Sequence, residues 1–501
     1  MQMSLKQITP PITRCLRLHL KRNRQHDYAP ANGHLSISTG QVNVSPSRKL
    51  NWFPVAFATI FAFVLTLEST LAEERNSRLE TLGSYRYEPK PNDEAFAKFN
   101  PRLAPSPGPL LLKRGDRLAI IGDSITEQKI YSRIIETYLT VCVPQYEITT
   151  RQYGWSGERT EGFLNRMDQD CLRFKPTIAT LAYGMNDTRY RPFDTLNGKW
   201  YHDHYSEVVK KLKDSDARVV VGSPGCAGKI ASWVKSRSGT LDEHNLHLCA
   251  LRDIALQVAE EQDVAFADIF WPMYKQQVFA ARKYGTAEQP YEIAGRDGIH
   301  PGGAGHLIMA YAFLRSMGLP GDVATIKFDS QTDTATVSAG HQITGCQLGV
   351  ISLNSQRYPF CADGPVDQDD SIRSGMSLVP FNAQLNRFML YVSGFDAPRG
   401  KITWGQHSVI VDRDTLKTGV NLAALFPINP FTPAFKAVDS AVAVKQAFET
   451  QQVKRVFHGR EGKNDFESAV ARTEKERAKL VASIATARTA VAHQLIIQPV
   501  D

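Results

Sequence analysis

From residue 116 the chain alternates short, uninterrupted apolar runs with longer segments whose apolar residues recur at helical spacing. The runs at 118–121, 146–150, 177–183, 218–222 and 264–269 are predicted strands. Residues 131–140, 245–261 and 304–317 are predicted helices, the first with Ile130, Ile134, Ile135 and Leu139 on one face. Continuous apolar strands separated by helices imply a parallel sheet covered on both faces. Past Gly318 the texture changes. Residues 322–428 alternate polar and apolar positions between turn residues (TATVS, FMLYVSGF, KITW, HSVIVD), which predicts a small β-sandwich. From Pro430 strong helix formers with mixed charge run to about residue 495 and predict a solvated helix hairpin packed on the main domain.

These shifts divide the 501 residues into a basic leader with an apolar segment (1–72), a proline-bearing lead-in (73–115), an α/β domain (116–320), a β-rich appendage (321–429) and a helical region (430–501). The composition, 42% apolar and 22% charged, fits a globular protein with a large core and excludes a mostly disordered chain.

The net charge of +8 belongs mostly to the leader. Residues 1–49 hold eight Lys and Arg against Asp27 alone, and the body past residue 72 is nearly neutral. Nucleic acid is therefore not an expected partner. Residues 50–67 carry no charge, follow Arg48 and Lys49, and lead to Thr70 and Ala72 at the small positions a signal peptidase favours. That is the pattern of an export signal, and the chain is expected in the periplasm, at the cell surface or outside the cell. An uncleaved anchor through residues 50–67 is the alternative, and the membrane is a partner only in that case. Six cysteines follow the leader. Export would allow pairing, with Cys346–Cys361 and Cys226–Cys249 nearest in sequence, against buried free thiols as the other outcome.

Four short motifs carry chemistry: Gly122-Asp123-Ser124-Ile125-Thr126, Gly154-Trp155-Ser156-Gly157-Glu158-Arg159-Thr160, Gly184-Met185-Asn186-Asp187 and Asp297-Gly298-Ile299-His300-Pro301. The first three follow predicted strands, and in a parallel sheet the carboxyl ends share one edge, where ligands bind. Ser124 lies at a strand-to-helix turn, and a serine becomes a nucleophile when a base takes its proton. His300 is the candidate base, and Asp297, three residues earlier, is close enough for a turn to set its carboxylate on the other ring nitrogen. The Ser124 and Gly157 N–H groups and the Asn186 side-chain amide can supply the donors expected for a tetrahedral oxyanion. Glycine at 157 lets a ligand approach the backbone, and asparagine at 186 offers NH₂ without charge.

In these four blocks the chain resembles the SGNH hydrolases, also called GDSL-type esterases: Ser124 in GDSIT, Gly157 in SGERT, Asn186 in GMND, and Asp297 with His300 in DGIHP. The resemblance covers about residues 116–318. It implies a three-layer flavodoxin-like α/β fold and metal-free ester hydrolysis through a Ser-His-Asp triad. No cofactor or metal is expected; His202 and His204 lack the further spaced ligands that zinc requires. Asp123 and Asp187 are expected to tie loops to backbone N–H groups. Gly302, Gly303 and Gly305 are expected to allow a close approach beside His300, and His306 to be a helix residue without a ligand role. Trp155 and Trp233 fit either a sugar face or the core.

The expected function is an exported serine esterase or acetylesterase, with an O-acylated carbohydrate as first substrate choice and short-chain or lipid esters as the alternative. A reading of another class is a non-catalytic carbohydrate-binding or envelope-scaffold protein, which an intact constellation of motifs disfavours.

Overall fold

A computed structural model describes residues 85–500. The basic leader, the apolar segment 50–67 and the start of the lead-in lie outside the described residues.

The centre is a five-stranded parallel sheet in the order β2-β1-β3-β4-β5, built from β1 (Arg117–Gly122), β2 (Thr149–Gln152), β3 (Ile178–Ala182), β4 (Arg218–Gly222) and β5 (Ala265–Ala267). Alternate residues of each apolar run serve opposite layers. Leu118 and Ile120 of β1 join Ile134, Ile135 and Phe313 on one side, while Ala119 and Ile121 join Phe163, Met167, Tyr205 and Leu256 on the other. Helices Tyr131–Val141 and Gly303–Ser316 line the first face; Thr160–Asp170 and Thr195–Asp214 line the second. This is the three-layer α/β arrangement expected. The helix predicted from residue 245 begins earlier, at Leu241, because Thr240 and Glu243 form a capping box. The lead-in is ordered where described: Phe96 and Phe99 are buried, with ring centroids 5.6 Å from Trp271 and 4.5 Å from Tyr274 respectively.

The second strand differs from expectation. Residues 144–146 form a 3₁₀ turn, Glu147 takes φ +50°, and the strand follows at Thr149–Gln152. Polar Arg151 and Gln152 hid it, and both have partners inside the protein: Arg151 bonds Glu474 and Gln152 bonds the Thr126 carbonyl.

The β-rich part contains two facing sheets. One is β13-β10-β6-β7, from β6 (Asp322–Asp329), β7 (Thr334–Val337), β10 (Arg387–Ser393) and β13 (Val420–Asn421). The other is β12-β11-β14-β9-β8, from β8 (His341–Gln347), β9 (Val350–Ser355), β11 (Arg399–Trp404), β12 (His407–Asp412) and β14 (Val491–Val500). Phe388 of β10 meets Trp404 of β11 at 5.2 Å between ring centroids, and Phe431 fills the space beside both.

Strand β14 corrects the expected helical run to residue 495. The helix Phe466–Ala487 stops, and the chain returns to the middle of the second sheet, paired with β9 and β11. His493, Leu495 and Ile497 point inward while Ala492, Gln494 and Gln498 are exposed, a period of two masked by the alanine-rich helix before it. The β-rich and helical parts therefore interlock rather than follow one another.

The helical hairpin, Thr432–Gln451 and Phe466–Ala487, is less solvated than expected. It covers the open edge of β2. Lys445 Nζ donates to the Thr150 carbonyl at 2.9 Å, Arg477 donates to the same oxygen, and Glu449 accepts from the Gln152 N–H at 3.1 Å. An edge strand's free backbone groups are thus satisfied by buried side chains, which leaves no template for strand pairing. Lys445 also contacts Glu136 at 3.1 Å and Glu449 at 2.7 Å, and Arg477 holds Glu449 at 2.7 Å. Burial opposes ionisation of Glu449, but these cations outweigh it and keep its carboxyl below the usual range.

Cys142, Cys171, Cys226, Cys249, Cys346 and Cys361 are free thiols, so neither near-sequence pairing forms. All but Cys346 are buried, where a thiol packs as a small apolar group.

Candidate active site

The carboxyl ends of three strands are in register: Gly122 of β1 opposes Ala182 of β3, which opposes Gly222 of β4. The first and third motifs leave the sheet at this line. A side chain at 122 would collide with Thr126 and with the Ala182 carbonyl, so glycine is required for the turn. Asp123 caps the short helix Ser124–Glu127 by accepting from the Ile125 N–H at 2.9 Å. Ser124 is left half-buried at the helix start.

The fourth motif folds back over it. Gly295 and Gly298, at φ +83° and +80°, make a tight turn in which a side chain at 298 would strike the Lys229 backbone. Within it Asp297 Oδ1 accepts from the N–H groups of Ile299 (2.9 Å) and His300 (2.8 Å), and Oδ2 lies 2.7 Å from His300 Nδ1. His300 Nε2 is 2.8 Å from Ser124 Oγ. Partial burial opposes ionisation of Asp297, but the two backbone donors and the imidazole outweigh it and hold the carboxyl below its usual range. An ionised Asp297 fixes the proton on Nδ1, so Nε2 accepts from the Ser124 hydroxyl.

Asn186 lies between the first and second motifs. Its Nδ2 donates to the Glu158 carbonyl at 3.1 Å and, more weakly, to Asp123 Oδ2 at 3.3 Å, while Oδ1 accepts from Tyr190 O–H at 3.1 Å. The amide expected to be a ready oxyanion donor therefore has both hydrogens engaged, one of them in a long bond. Gly157 is exposed at φ +74°, and the space beside its Cα is open. Its requirement is the left-handed turn rather than crowding by the protein.

Asp123 and Asp187 tie loops down as expected. Asp187 accepts from Thr160 N–H (3.0 Å), Thr160 Oγ–H (2.8 Å) and Gly184 N–H (3.0 Å). Burial, reinforced by Asp187 and Glu158 and resisted by the Ile125 N–H, pushes the Asp123 carboxyl up to about 8. Burial thus favours the neutral form of Asp123 beside the Asn186 amide.

Several contributors were given no role by the sequence, Glu158 among them although it lies within the second motif. Glu158 accepts from Arg166 at 2.6 and 2.7 Å and from the Tyr183 hydroxyl at 2.6 Å. Glu127 accepts from Ser156, and Tyr190 orients Asn186. Glu158 and Glu127 meet partners on other segments, whereas Tyr190 reaches Asn186 within its own loop.

Other expected features have settled places. Trp233 belongs to the rim: it is 48% exposed and stacks on the His300 ring with centroids 5.8 Å apart. Trp155 is half-buried against His458 and Arg166. His202 contacts Glu261 at 2.8 Å and His204 the Trp200 carbonyl at 2.7 Å. Gly302 and Gly303 let the backbone of residues 369–371 approach, and Gly305 admits the Ile293 carbonyl. His306 is fully buried, 2.9 Å from Gln128.

Residues 120–308 match the model of the GDSL-like lipase/acylhydrolase family. An acetylxylan esterase from Geobacillus stearothermophilus is 26% identical over 227 residues, covering 41% of this chain and 94% of that protein. The crystal structure of an acetylxylan esterase from the same organism aligns with 42% of this chain and 97% of its own at 21% identity, with a TM-score of 0.34. A gut microbial diltiazem-metabolizing enzyme of known structure covers 79% of this chain and 99% of its own at 20% identity, with a TM-score of 0.60. That last likeness is one of fold, and its extent takes in much of the chain beyond the matched domain.

Proposed function

With residues 120–308 forming an esterase domain of the GDSL-like lipase/acylhydrolase (SGNH) family, we propose that the protein is an exported serine esterase that removes O-acyl groups, acetyl foremost, from carbohydrate. The observation that carries the catalytic reading is the relay from Ser124 Oγ through His300 to Asp297, at 2.8 and 2.7 Å.

In this reading Ser124 Oγ attacks the ester carbonyl carbon while its proton passes to His300 Nε2. The carbonyl oxygen becomes an oxyanion, taken up by the N–H groups of Ser124 and Gly157 and by the Asn186 amide. Collapse expels the alcohol, which receives the proton from His300 and leaves an acyl-Ser124. Water then repeats the sequence: it gives a proton to His300, attacks the acyl carbon, and releases the carboxylic acid as Ser124 regains its hydrogen.

Two observations favour a sugar alcohol as the leaving group. Trp233 is 48% exposed beside His300, and an exposed indole suits the apolar side of a pyranose. The curated relative is an acetylxylan esterase. Export rests on the leader pattern at residues 48–72.

The test is hydrolysis of p-nitrophenyl esters from acetate to palmitate beside acetylated xylan, by wild type and Ser124→Ala. Preference for acetate and acetylated xylan, lost in Ser124→Ala, is expected. Preference for long chains would replace the sugar ester by a lipid ester, and equal rates in both proteins would overturn the nucleophile. Amino-terminal sequencing of the product from a secreting host checks export: a chain beginning after Ala72 is expected, and a full-length cytoplasmic product would refute it.

A further inference from the structure

We infer that Lys454, on the appended helical region, is a positioning residue for hydrolysis: through Glu127 it holds the Gly157 loop against the Ser124 turn. This rests on the roles proposed above for Ser124 and Gly157.

Glu127 ends the short helix that begins at Ser124. Its Oε2 accepts from both the N–H and the hydroxyl of Ser156, each at 2.6 Å. Ser156 immediately precedes Gly157, so one carboxylate joins the turn bearing the nucleophile to the loop bearing an oxyanion donor. The two backbones also touch: a side chain at Gly154 would collide with the backbone of Glu127.

Lys454 completes the joint from a distance of 327 residues. Its Nζ is 2.7 Å from Glu127 Oε1 and 2.8 Å from Oε2. It extends from Gln452–Phe457, a π-helical segment between the arms of the hairpin, outside the matched domain. Such widened turns are uncommon and concentrate at functional sites. His458, at the end of the segment, packs edge-on against Trp155 with centroids 5.0 Å apart and contacts Asp170 at 2.8 Å, and Lys454 lies over the same indole at 5.2 Å.

The inner side of the loop has its own fastening in Glu158 and Arg166. On the outer side the cation on the Glu127 carboxylate is Lys454; Lys129 bonds instead the Glu127 carbonyl. The Lys454 and Glu127 side chains are 25% and 19% exposed, enough shielded from water for the pair to fix geometry. Without the ammonium, a half-buried carboxylate loses its counter-charge and its hold on Ser156 weakens. The loop then loses register with Ser124, and misplacement by an ångström in a catalytic constellation costs up to about a hundredfold in rate.

The experiment compares Lys454→Met, Lys454→Arg, Glu127→Gln and the Lys454→Met/Glu127→Gln double variant with Arg455→Met, an exposed neighbour, as control. Steady-state hydrolysis of p-nitrophenyl acetate and thermal midpoints are recorded for each. Lys454→Met should lower kcat about ten- to a hundredfold with KM within about twofold and a midpoint close to wild type. Lys454→Arg should restore most of kcat, the double variant should be no slower than Glu127→Gln, and Arg455→Met should match wild type. An unchanged kcat in Lys454→Met, or losses that multiply in the double variant, would overturn the inference. Failure of the underlying reading is separately visible, because Ser124→Ala would then keep its activity.

Discussion

Asn186 donates to the Glu158 carbonyl at 3.1 Å, so the amide of the third motif is fastened to the residue that follows Gly157. Its second hydrogen makes a 3.3 Å bond to Asp123 and is the one a developing oxyanion can draw away at low cost. Asn186→Ala should therefore lower kcat for p-nitrophenyl acetate about 10²–10³-fold, the loss typical of one oxyanion donor, with a small change in KM. Wild-type kcat in this variant would remove Asn186 from the mechanism.

Asp297 fixes the His300 tautomer through Oδ2 while Oδ1 anchors the turn. Asp297→Asn keeps an acceptor for the backbone but loses the charge that holds the proton on Nδ1. Its kcat should fall about 10³–10⁴-fold, less than the roughly 10⁶-fold expected for Ser124→Ala. A silent Asp297→Asn in the same assay would contradict the orienting role.

Trp233 stacks on His300 and is about half exposed to solvent. A stacked ring contributes about 0.5–1.5 kcal/mol, so Trp233→Ala should reduce kcat/KM on acetylated xylan roughly two- to twelvefold. The small ester p-nitrophenyl acetate should be hydrolysed within about twofold of wild type. Equal losses on both substrates would mean that the indole supports His300 rather than the sugar.

Stability should fall in mild acid through His493. Its Nδ1 accepts from the Trp404 indole N–H at 3.1 Å, and Nε2 lies 2.9 Å from Ser355 Oγ. Burial, aided by the nearby His341, pushes its pKa down to about 3. The unfolded chain takes up this proton below about 6.5 and the folded one refuses it, so the contribution is complete above that pH and is lost as pH falls toward 3. His493→Gln should lower the urea midpoint at neutral pH but flatten its decline between about pH 7 and 4. A decline as steep as wild type would exclude His493 as a source.

The turns at the first and fourth motifs were legible because each marks a local event. Gly122 turns the chain, Asp123 caps a helix, and Asp297 reaches His300 within one turn. The sheet was legible because continuous apolar runs in a parallel sheet have no other place to go. Strand β2 was misplaced because the Arg151 and Gln152 side chains are satisfied by polar partners, the Glu474 carboxylate and the Thr126 carbonyl, rather than by an apolar layer. Strand β14 was missed because its two-residue period follows directly on a strong helix.

By itself the amino-acid order determined most of the strand-helix alternation and the turns on which Ser124, Asn186 and His300 sit, since all depend on neighbours a few residues apart. Only the tertiary structure decided that Glu127 joins the Ser124 turn to the Gly157 loop, that Lys454 reaches it from 327 residues away, and that the half-exposed Trp233 stacks on His300. Such pairings are set by how layers and edges meet in space, and a lone lysine, glutamate or tryptophan leaves no period or spacing in the chain to announce its partner.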